Sequence, residues 1–332
     1  MASAVSLLIL LDHPEPVRKQ YYDGIRAKFP ALTLNMVDHH SKVGPHIASA
    51  QVLLTYGMSM ADHVLREATH LRWIHALTTG TDGIDNLPSL RPEVLLTSTR
   101  GIHGAPMSEA ALMAMLALNR DFPRAIRNHE RRAWERWPAK LLEGKTVGIF
   151  GVGLIGAALA PKCKALGMTV VGVDPIRRSV PGVDRMVVWD RVMQVIGELD
   201  FVVLFVPSSP STRGIINLEL LAAMKPTAYL INLGRGDVLD DEALIRILTE
   251  GRIAGAALDV FREEPLPRDH PFWALENIII TPHLGGAFDE YPGRALPVIL
   301  ENMRRFLAGD TDNMINLVKR PSGPHTGERY RT

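Results

Sequence analysis

Two series of short apolar runs, separated by stretches of helical patterning, constrain what this chain can fold into more than any other feature. The first series fills about the first 100 residues with VSLLILL, LTLNMV, QVLLTY, LRWIHAL and VLLT. The second begins at Lys145 with TVGIF, MTVVGVD, DFVVLFVP, AYLINLG, AGAALDV and NIIITP. Runs this short and this continuously apolar fit strands buried on both faces, and strands that alternate with helices assemble into parallel sheets through right-handed crossovers. The expected fold class is therefore α/β, with a five-stranded flavodoxin-like sheet followed by a six-stranded Rossmann-type sheet.

A chain of 332 residues that is 46% hydrophobic has the length for two domains and enough apolar side chains for sizeable cores, which excludes a disordered chain. Lysine plus arginine number 37 and aspartate plus glutamate 36, so no bulk field recruits nucleic acid or a membrane surface, and any anion has to be held locally. The single cysteine, Cys163, rules out an intramolecular disulfide and a cysteine zinc site and reads as a buried helix residue; no metal is expected. The seven-residue run at 5–11 has no cationic region before it and reads as a strand rather than a signal peptide. No apolar stretch approaches the roughly 20 residues of a membrane helix, so the expectation is a soluble, cytoplasmic protein.

Between the two series, a helical stretch from 108 to about 134 starts apolar and turns basic at Arg120, Arg124, Arg127, Arg131 and Arg132. Pro123 should kink or split it. The arginines read either as a solvated face or as an arm packing on a second subunit. After His283, the leucines, methionine and phenylalanine of LPVILENMRRFLAG recur at helical spacing, which returns the chain to the first domain and makes that domain discontinuous. The expected division is 1–100, 101–287 with an arm at about 105–137, a return segment 288–320, and a disordered proline- and glycine-rich tail 321–332.

The glycines of GVGLIG stand directly between the run TVGIF and a helical segment. Gly151 permits the tight turn, Gly153 lets backbone approach a pyrophosphate, and Gly156 lets helix and strand pack closely. Asp174 closes the next run, 18 residues after Gly156, where a carboxylate accepts the adenosine ribose hydroxyls and repels a 2′-phosphate. This favours NAD. Arg177 and Arg178 follow at once and suit a 2′-phosphate, which leaves NADP as the alternative. Pro161 should kink the helix that follows the glycines.

Four residues that carry chemistry also follow apolar runs: Arg235, Asp259, Glu264 and His283. In a doubly wound sheet that is the address of a ligand crevice. An arginine fork fits a carboxylate and polarises an adjacent keto oxygen, and a histidine beside a glutamate delivers a proton near neutral pH. Glu264 would hydrogen-bond one ring nitrogen and favour the imidazolium; Glu263 is taken as solvated. Asp259 suits a ligand contact or a helix cap.

In this order, GVGLIG, VPSSPSTRGIIN, NLGRGDVLD, ALDVFREEPLP and TPHLGG resemble the D-isomer-specific 2-hydroxyacid dehydrogenases over about residues 70 to 320, and unrelated Rossmann proteins share only the first motif. The resemblance implies hydride transfer between NAD(H) and carbon 2 of a small 2-keto or 2-hydroxy acid, in the manner of a glyoxylate or hydroxypyruvate reductase. It implies Arg235, Glu264 and His283 as the catalytic set, with Glu264 placed by the proline after it. It implies a cofactor lined by Gly151, Gly153, Leu154, Ile155, Gly156, Asp174, Val206, Pro207, Thr212, Leu233, Asp259, His283, Gly285 and Met107, with Asp259 on the nicotinamide carboxamide. HALTTGTDGID resembles the family's carboxylate loop, so backbone amides near Thr79 and Gly80 are implied to hold the substrate carboxylate opposite Arg235 and His283. A homodimer through the basic arm is expected, with Trp134 or Trp137 reaching the partner's site or simply packing. Ala287 and Phe288 depart from the family pattern, and Phe288 could narrow the pocket or pack on the nicotinamide.

Formate and phosphite oxidation use the same scaffold and stand as alternatives, as does a non-catalytic, NAD-sensing corepressor-like binding protein. Glu264 argues against formate oxidation, where glutamine stands at this position, because hydride moves without a proton. The short tail argues against the corepressor.

Overall fold

The computed structural model describes residues 5–318, and the chain divides into two compact units. One comprises the chain up to Ile102 together with the segment from Phe288; the other is His103–Ala287. The tail expected to be disordered from 321 lies outside the described residues.

In the first unit the strands are β1 (Ser6–Leu10), β2 (Thr33–Val37), β3 (Val52–Thr55), β4 (Trp73–Ala76) and β5 (Leu95–Ser98). They lie in the order β2-β1-β3-β4-β5 and every pair is parallel, which is the flavodoxin-like order. Alternate side chains feed two cores. Leu7, Ile9, Val52, Leu54 and Trp73 enter one; Leu8, Leu10, Leu53, Ile74 and Leu96 enter the other. The helix Tyr291–Leu307 adds Tyr291, Ala295, Ile299, Met303 and Phe306 to the first core, an apolar stripe at helical spacing. The C-terminal segment therefore completes the N-terminal sheet.

The second unit holds β6 (Thr146–Phe150), β7 (Thr169–Val173), β8 (Arg185–Val187), β9 (Phe201–Leu204), β10 (Tyr229–Asn232), β11 (Gly255–Leu258) and β12 (Ile278–Ile280). Seven strands form, not the expected six, in the all-parallel order β12-β11-β10-β9-β6-β7-β8. The addition is β8, an edge strand of three residues with no buried position, too short and too polar to announce itself as an apolar run. Reversal of strand order between β6 and β9 creates the switch-point crevice where dinucleotides bind in such sheets.

The expected long helix is two: Gly104–Asn119 and Phe122–Arg131. They break at Asp121, whose backbone is left-handed at φ 51, and Pro123 sits in the first turn of the second helix, where its missing N–H costs nothing. The helix Leu154–Ala165 runs on through Pro161 as one element.

Candidate active site

β6 ends at Phe150 and the chain turns at once. Gly151 has φ 87, and a side chain there would meet the carbonyl of Phe205 at 3.0 Å, so only glycine lets the turn and the end of β9 meet. A Cβ on Gly156 would lie 2.5 Å from Gly151 O, whereas one on Gly153 would meet nothing within 4 Å. The turn is thus closed against the sheet and open over Gly153, at the N-terminus of a 12-residue helix. Donor amides above open space fit a dinucleotide pyrophosphate.

Asp174 braces this turn. Its Oδ2 accepts from Val152 N at 3.0 Å and its Oδ1 from Ile176 N and Arg177 N, both at 2.9 Å. Arg177 and Arg178 are exposed, and Arg178 donates back to Pro175 O at 3.0 Å. Thr212 Oγ1 donates to Pro207 O at 2.7 Å, closing the loop that carries Val206 and Pro207. Gly234 lets that loop approach β10's end, for its Cβ would meet Val206 O at 2.7 Å.

Arg235 is carried by a turn that Asn232 ties together. The buried Asn232 side chain accepts from Gly234 N at 3.1 Å and donates to Arg235 O at 3.0 Å. Arg235 Nη1 donates to Gly234 O at 2.7 Å. Gly236 then lies against the backbone of Phe261, where a Cβ would come within 1.9 Å of the carbonyl carbon. Phe261 N donates to Glu264 Oε1 at 2.9 Å, and Glu264 Oε2 faces His283 Nδ1 at 2.7 Å. Partial burial pushes the Glu264 carboxyl up, but its hydrogen bonds with His283 and Phe261 and the nearby charges of His283 and Arg235 outweigh this and hold it below its usual range. Arg235, Glu264 and His283 are thereby brought together, and Glu263 is exposed.

His283 has φ 54, unusual for a residue with a side chain, and Asp259 accounts for how it is held. Only 2% exposed, Asp259 accepts on Oδ1 from Thr281 Oγ1 at 2.5 Å and Leu284 N at 2.8 Å, and on Oδ2 from Gly285 N at 2.8 Å. The backbone adds His283 N to Asp259 O at 2.8 Å. Asp259 therefore grips the loop 281–285 on both sides of the histidine and caps no helix. A Cβ on Gly285 would meet Asp259 Oδ2, Met107 Sδ and Leu233 Cδ2 at 2.9, 3.3 and 3.6 Å, so these four residues, expected on one cofactor, lie together.

His103 and Asn232 were not singled out from the sequence. His103 is buried and neighbours Gly286, whose Cβ would lie 3.3 Å from its ring. Burial, reinforced by the Arg235 charge, pushes its imidazole down to about 4 and keeps it neutral at pH 7. A histidine opening a helix, and an asparagine ending an apolar strand, were the available signals. Cys163 is buried and its thiol is pushed up to about 12, so it is inert. Among the described residues, no three His, Cys, Asp or Glu side chains are arranged to hold a metal, and no helix is long and apolar enough to cross a membrane.

Thr79 and Gly80 belong to the first unit, in the loop after β4. Phe288 also lies there, against Tyr291 with ring centroids 5.1 Å apart and under the Arg294 guanidinium at 5.5 Å. In the arm, Trp137 donates to Arg120 O at 3.2 Å and stacks under Arg124, whereas Trp134 is 89% exposed.

The sequence pattern of the family described as D-isomer specific 2-hydroxyacid dehydrogenase, NAD binding domain, matches residues 112–285. A glyoxylate reductase of Korarchaeum cryptofilum is 36% identical over 270 residues, covering 78% of this chain and 81% of that protein. A D-3-phosphoglycerate dehydrogenase of Methanocaldococcus jannaschii is 34% identical over 280 residues, covering 83% of this chain and 53% of that protein, so the chain spans about half the length of that relative. The crystal structure of a D-isomer specific 2-hydroxyacid dehydrogenase family protein from Aeromonas salmonicida superposes with a TM-score of 0.87 at 29% identity, covering 96% of this chain and 99% of that one. With its NAD-binding sheet, glycine turn and the order of its motifs, the chain belongs to the D-isomer-specific 2-hydroxyacid dehydrogenase family.

Proposed function

We propose that this chain reduces a small 2-keto acid of the glyoxylate or hydroxypyruvate class to its D-2-hydroxy acid, with His283 as general acid and base, Glu264 as its partner and Arg235 as carboxylate anchor. The observation that carries this reading is the 2.7 Å contact between His283 Nδ1 and Glu264 Oε2, with the Arg235 charge acting on the same carboxylate. When bound, NADH supplies the hydride for the keto carbon. Glu264, ionised at neutral pH, takes the Nδ1 proton of His283 as a hydrogen bond and leaves Nε2–H to donate. As the carbonyl π pair moves onto oxygen, His283 gives that oxygen the Nε2 proton; in the oxidative direction it takes the proton back. Arg235 holds the carboxylate and stabilises the negative charge growing on the adjacent oxygen. Asp259 holds the loop that presents His283. By the likeness of HALTTGTDGID to the family's carboxylate loop, the backbone amides of Thr79 and Gly80 are assigned to the substrate carboxylate.

NAD is the proposed cofactor, because Asp174 follows the end of β7, where a carboxylate accepts ribose hydroxyls and repels a 2′-phosphate, and NADP through Arg177 or Arg178 is the alternative. A homodimer is proposed through the arm, where Met113, Leu116, Phe122, Ile126 and Trp134 are exposed apolar side chains. The test is NADH oxidation with glyoxylate, hydroxypyruvate, phosphohydroxypyruvate, pyruvate and longer 2-keto acids. Turnover with a small keto acid is expected. Tight NADH binding without turnover of any of them would contradict the enzymatic reading.

A further inference from the structure

The first unit buries an imidazole that the chemistry above does not use. His75, on β4, has no solvent exposure, and both ring nitrogens face threonine hydroxyls: Nδ1 to Thr97 Oγ1 at 2.7 Å and Nε2 to Thr99 Oγ1 at 3.1 Å. Trp73 Nε1 donates to Thr97 Oγ1 at 2.9 Å, and Thr99 Oγ1 donates to Ala76 O at 3.1 Å. Each hydroxyl has one proton and a neutral imidazole has one. Thr99 Oγ1 lies within hydrogen-bond reach of Ala76 O and of the Tyr291 hydroxyl; with its proton on Ala76 O it accepts from His75 Nε2–H, so Nδ1 accepts from Thr97, whose oxygen accepts from Trp73. The four bonds then run one way, Trp73 to Thr97 to His75 to Thr99 to Ala76, each polarising the next.

This chain ends where the loop after β4 begins. Thr99 N donates to Ala76 O and Thr78 O, both at 3.0 Å, and Tyr291 Oη donates to Leu77 O at 2.5 Å. Three consecutive carbonyls, at 76, 77 and 78, are therefore held by donors outside the loop. Thr78 Oγ1 donates to Gly80 O at 2.5 Å, and Gly57 and Gly83 press the loop's far end against the neighbouring segment, with a Cβ on Gly83 only 2.8 Å from Gly57 O. A peptide unit is planar and trans, so pinning the carbonyl of one residue fixes the direction of the next residue's N–H. Thr78 O is held by the Thr99 backbone N–H, which aims Thr79 N–H, the amide assigned to the carboxylate; the hydroxyls of Thr99 and Tyr291 act on that amide indirectly, by fixing Ala76 O and Leu77 O and with them the approach of the Thr99 backbone to the loop.

We propose that Thr99, Tyr291 and His75 are positioning residues for the reaction, a buried hydrogen-bond chain that aims the backbone amides of loop 78–80 at the substrate carboxylate. The inference rests on the assignment of Thr79 and Gly80 to that carboxylate. The burial that pushes the His75 imidazole down to about 3 keeps it in the neutral form the chain requires.

Steady-state kinetics of the intact protein with glyoxylate and NADH test this. T99V, which removes the hydroxyl at nearly constant shape, and Y291F, which removes the donor to Leu77 O, are each expected to raise KM for the keto acid about 3- to 10-fold, as the loss of one hydrogen bond does, while NADH Kd stays within twofold. T99S restores the hydroxyl and should restore KM. Unchanged KM in T99V and Y291F, or a rise that T99S does not reverse, would overturn the inference, whatever the loss of thermal stability. T79P, which deletes the amide itself, separates the two levels: a raised KM there with unchanged KM in T99V and Y291F removes the positioning role and leaves the carboxylate assignment standing. Unchanged KM in T79P overturns the assignment and the inference with it.

Discussion

Replacing Asp259 by asparagine removes one negative charge and converts one acceptor to a donor at a site that offers only donors. The best orientation keeps the amide oxygen on Thr281 Oγ1 and Leu284 N and turns the new NH2 toward Gly285 N, 2.8 Å from the present oxygen. Two charge-assisted hydrogen bonds become neutral ones, a loss of about 1 kcal/mol each, and two buried donors face each other at a further ~1–3 kcal/mol, so D259N should destabilise by about 3–5 kcal/mol. Urea unfolding followed by tryptophan fluorescence reads this, because four of the five tryptophans, Trp134, Trp137, Trp189 and Trp273, lie in the same unit as Asp259. Turnover should fall with stability, because the loop freed is the one that carries His283. A shift below about 1 kcal/mol, or lost NADH affinity at unchanged stability, would refute the argument and return Asp259 to the cofactor.

The folded state holds His75 and His103 neutral, with pKa values down to about 3 and about 4, whereas the ordinary value is 6.5. Below about 6.5 the unfolded chain binds protons that the folded chain does not, so stability present above that pH is lost as pH falls toward about 4 and 3, at on the order of 1.4 kcal/mol per pH unit for each histidine. The Glu264 carboxyl adds to this from about pH 5.5 downward, and His40, also held below its ordinary value, contributes in the histidine window, so urea midpoints at pH 7, 6.5 and 6 read the histidines, and a flat profile over that range would contradict their buried neutrality. For cofactor choice, kcat/KM should favour NADH over NADPH, and D174A should narrow that preference while weakening both cofactors, because Asp174 also braces Val152. A native preference for NADPH would show that Arg177 or Arg178 decides the matter.

The strands legible in the sequence were those written as apolar runs, buried throughout in β1, β3, β4 and β9 and only partly buried in β2 and β12. β8 escaped because its three residues begin with an exposed arginine and form no apolar run, unlike the equally short edge strand β12 with its three isoleucines. Pro123 correctly marked a break in the arm but misplaced it: proline is tolerated in a first turn, so the chain breaks before it, at Asp121. The glycine turn and the pairing of Glu264 with His283 follow from local motifs. The grip of Asp259 on residues 22 to 26 positions downstream does not, because which amides converge on a carboxylate depends on how two loops pack. Asp174 shows the same gap. It was expected to await a ribose and is already bracing the glycine turn, two tasks that the several lone pairs of one carboxylate can combine. His103 escaped because its neighbours come from distant segments.

The most direct measurement is the single-turnover rate of NADH oxidation by glyoxylate in H283A, set beside its NADH Kd. With His283 as the proton donor and the glycine turn as the main hold on the dinucleotide, the rate should be lower by about 10²- to 10⁴-fold with Kd within threefold of the native value. A rate within tenfold of native, or a loss of rate matched by an equal loss of NADH affinity, would contradict this.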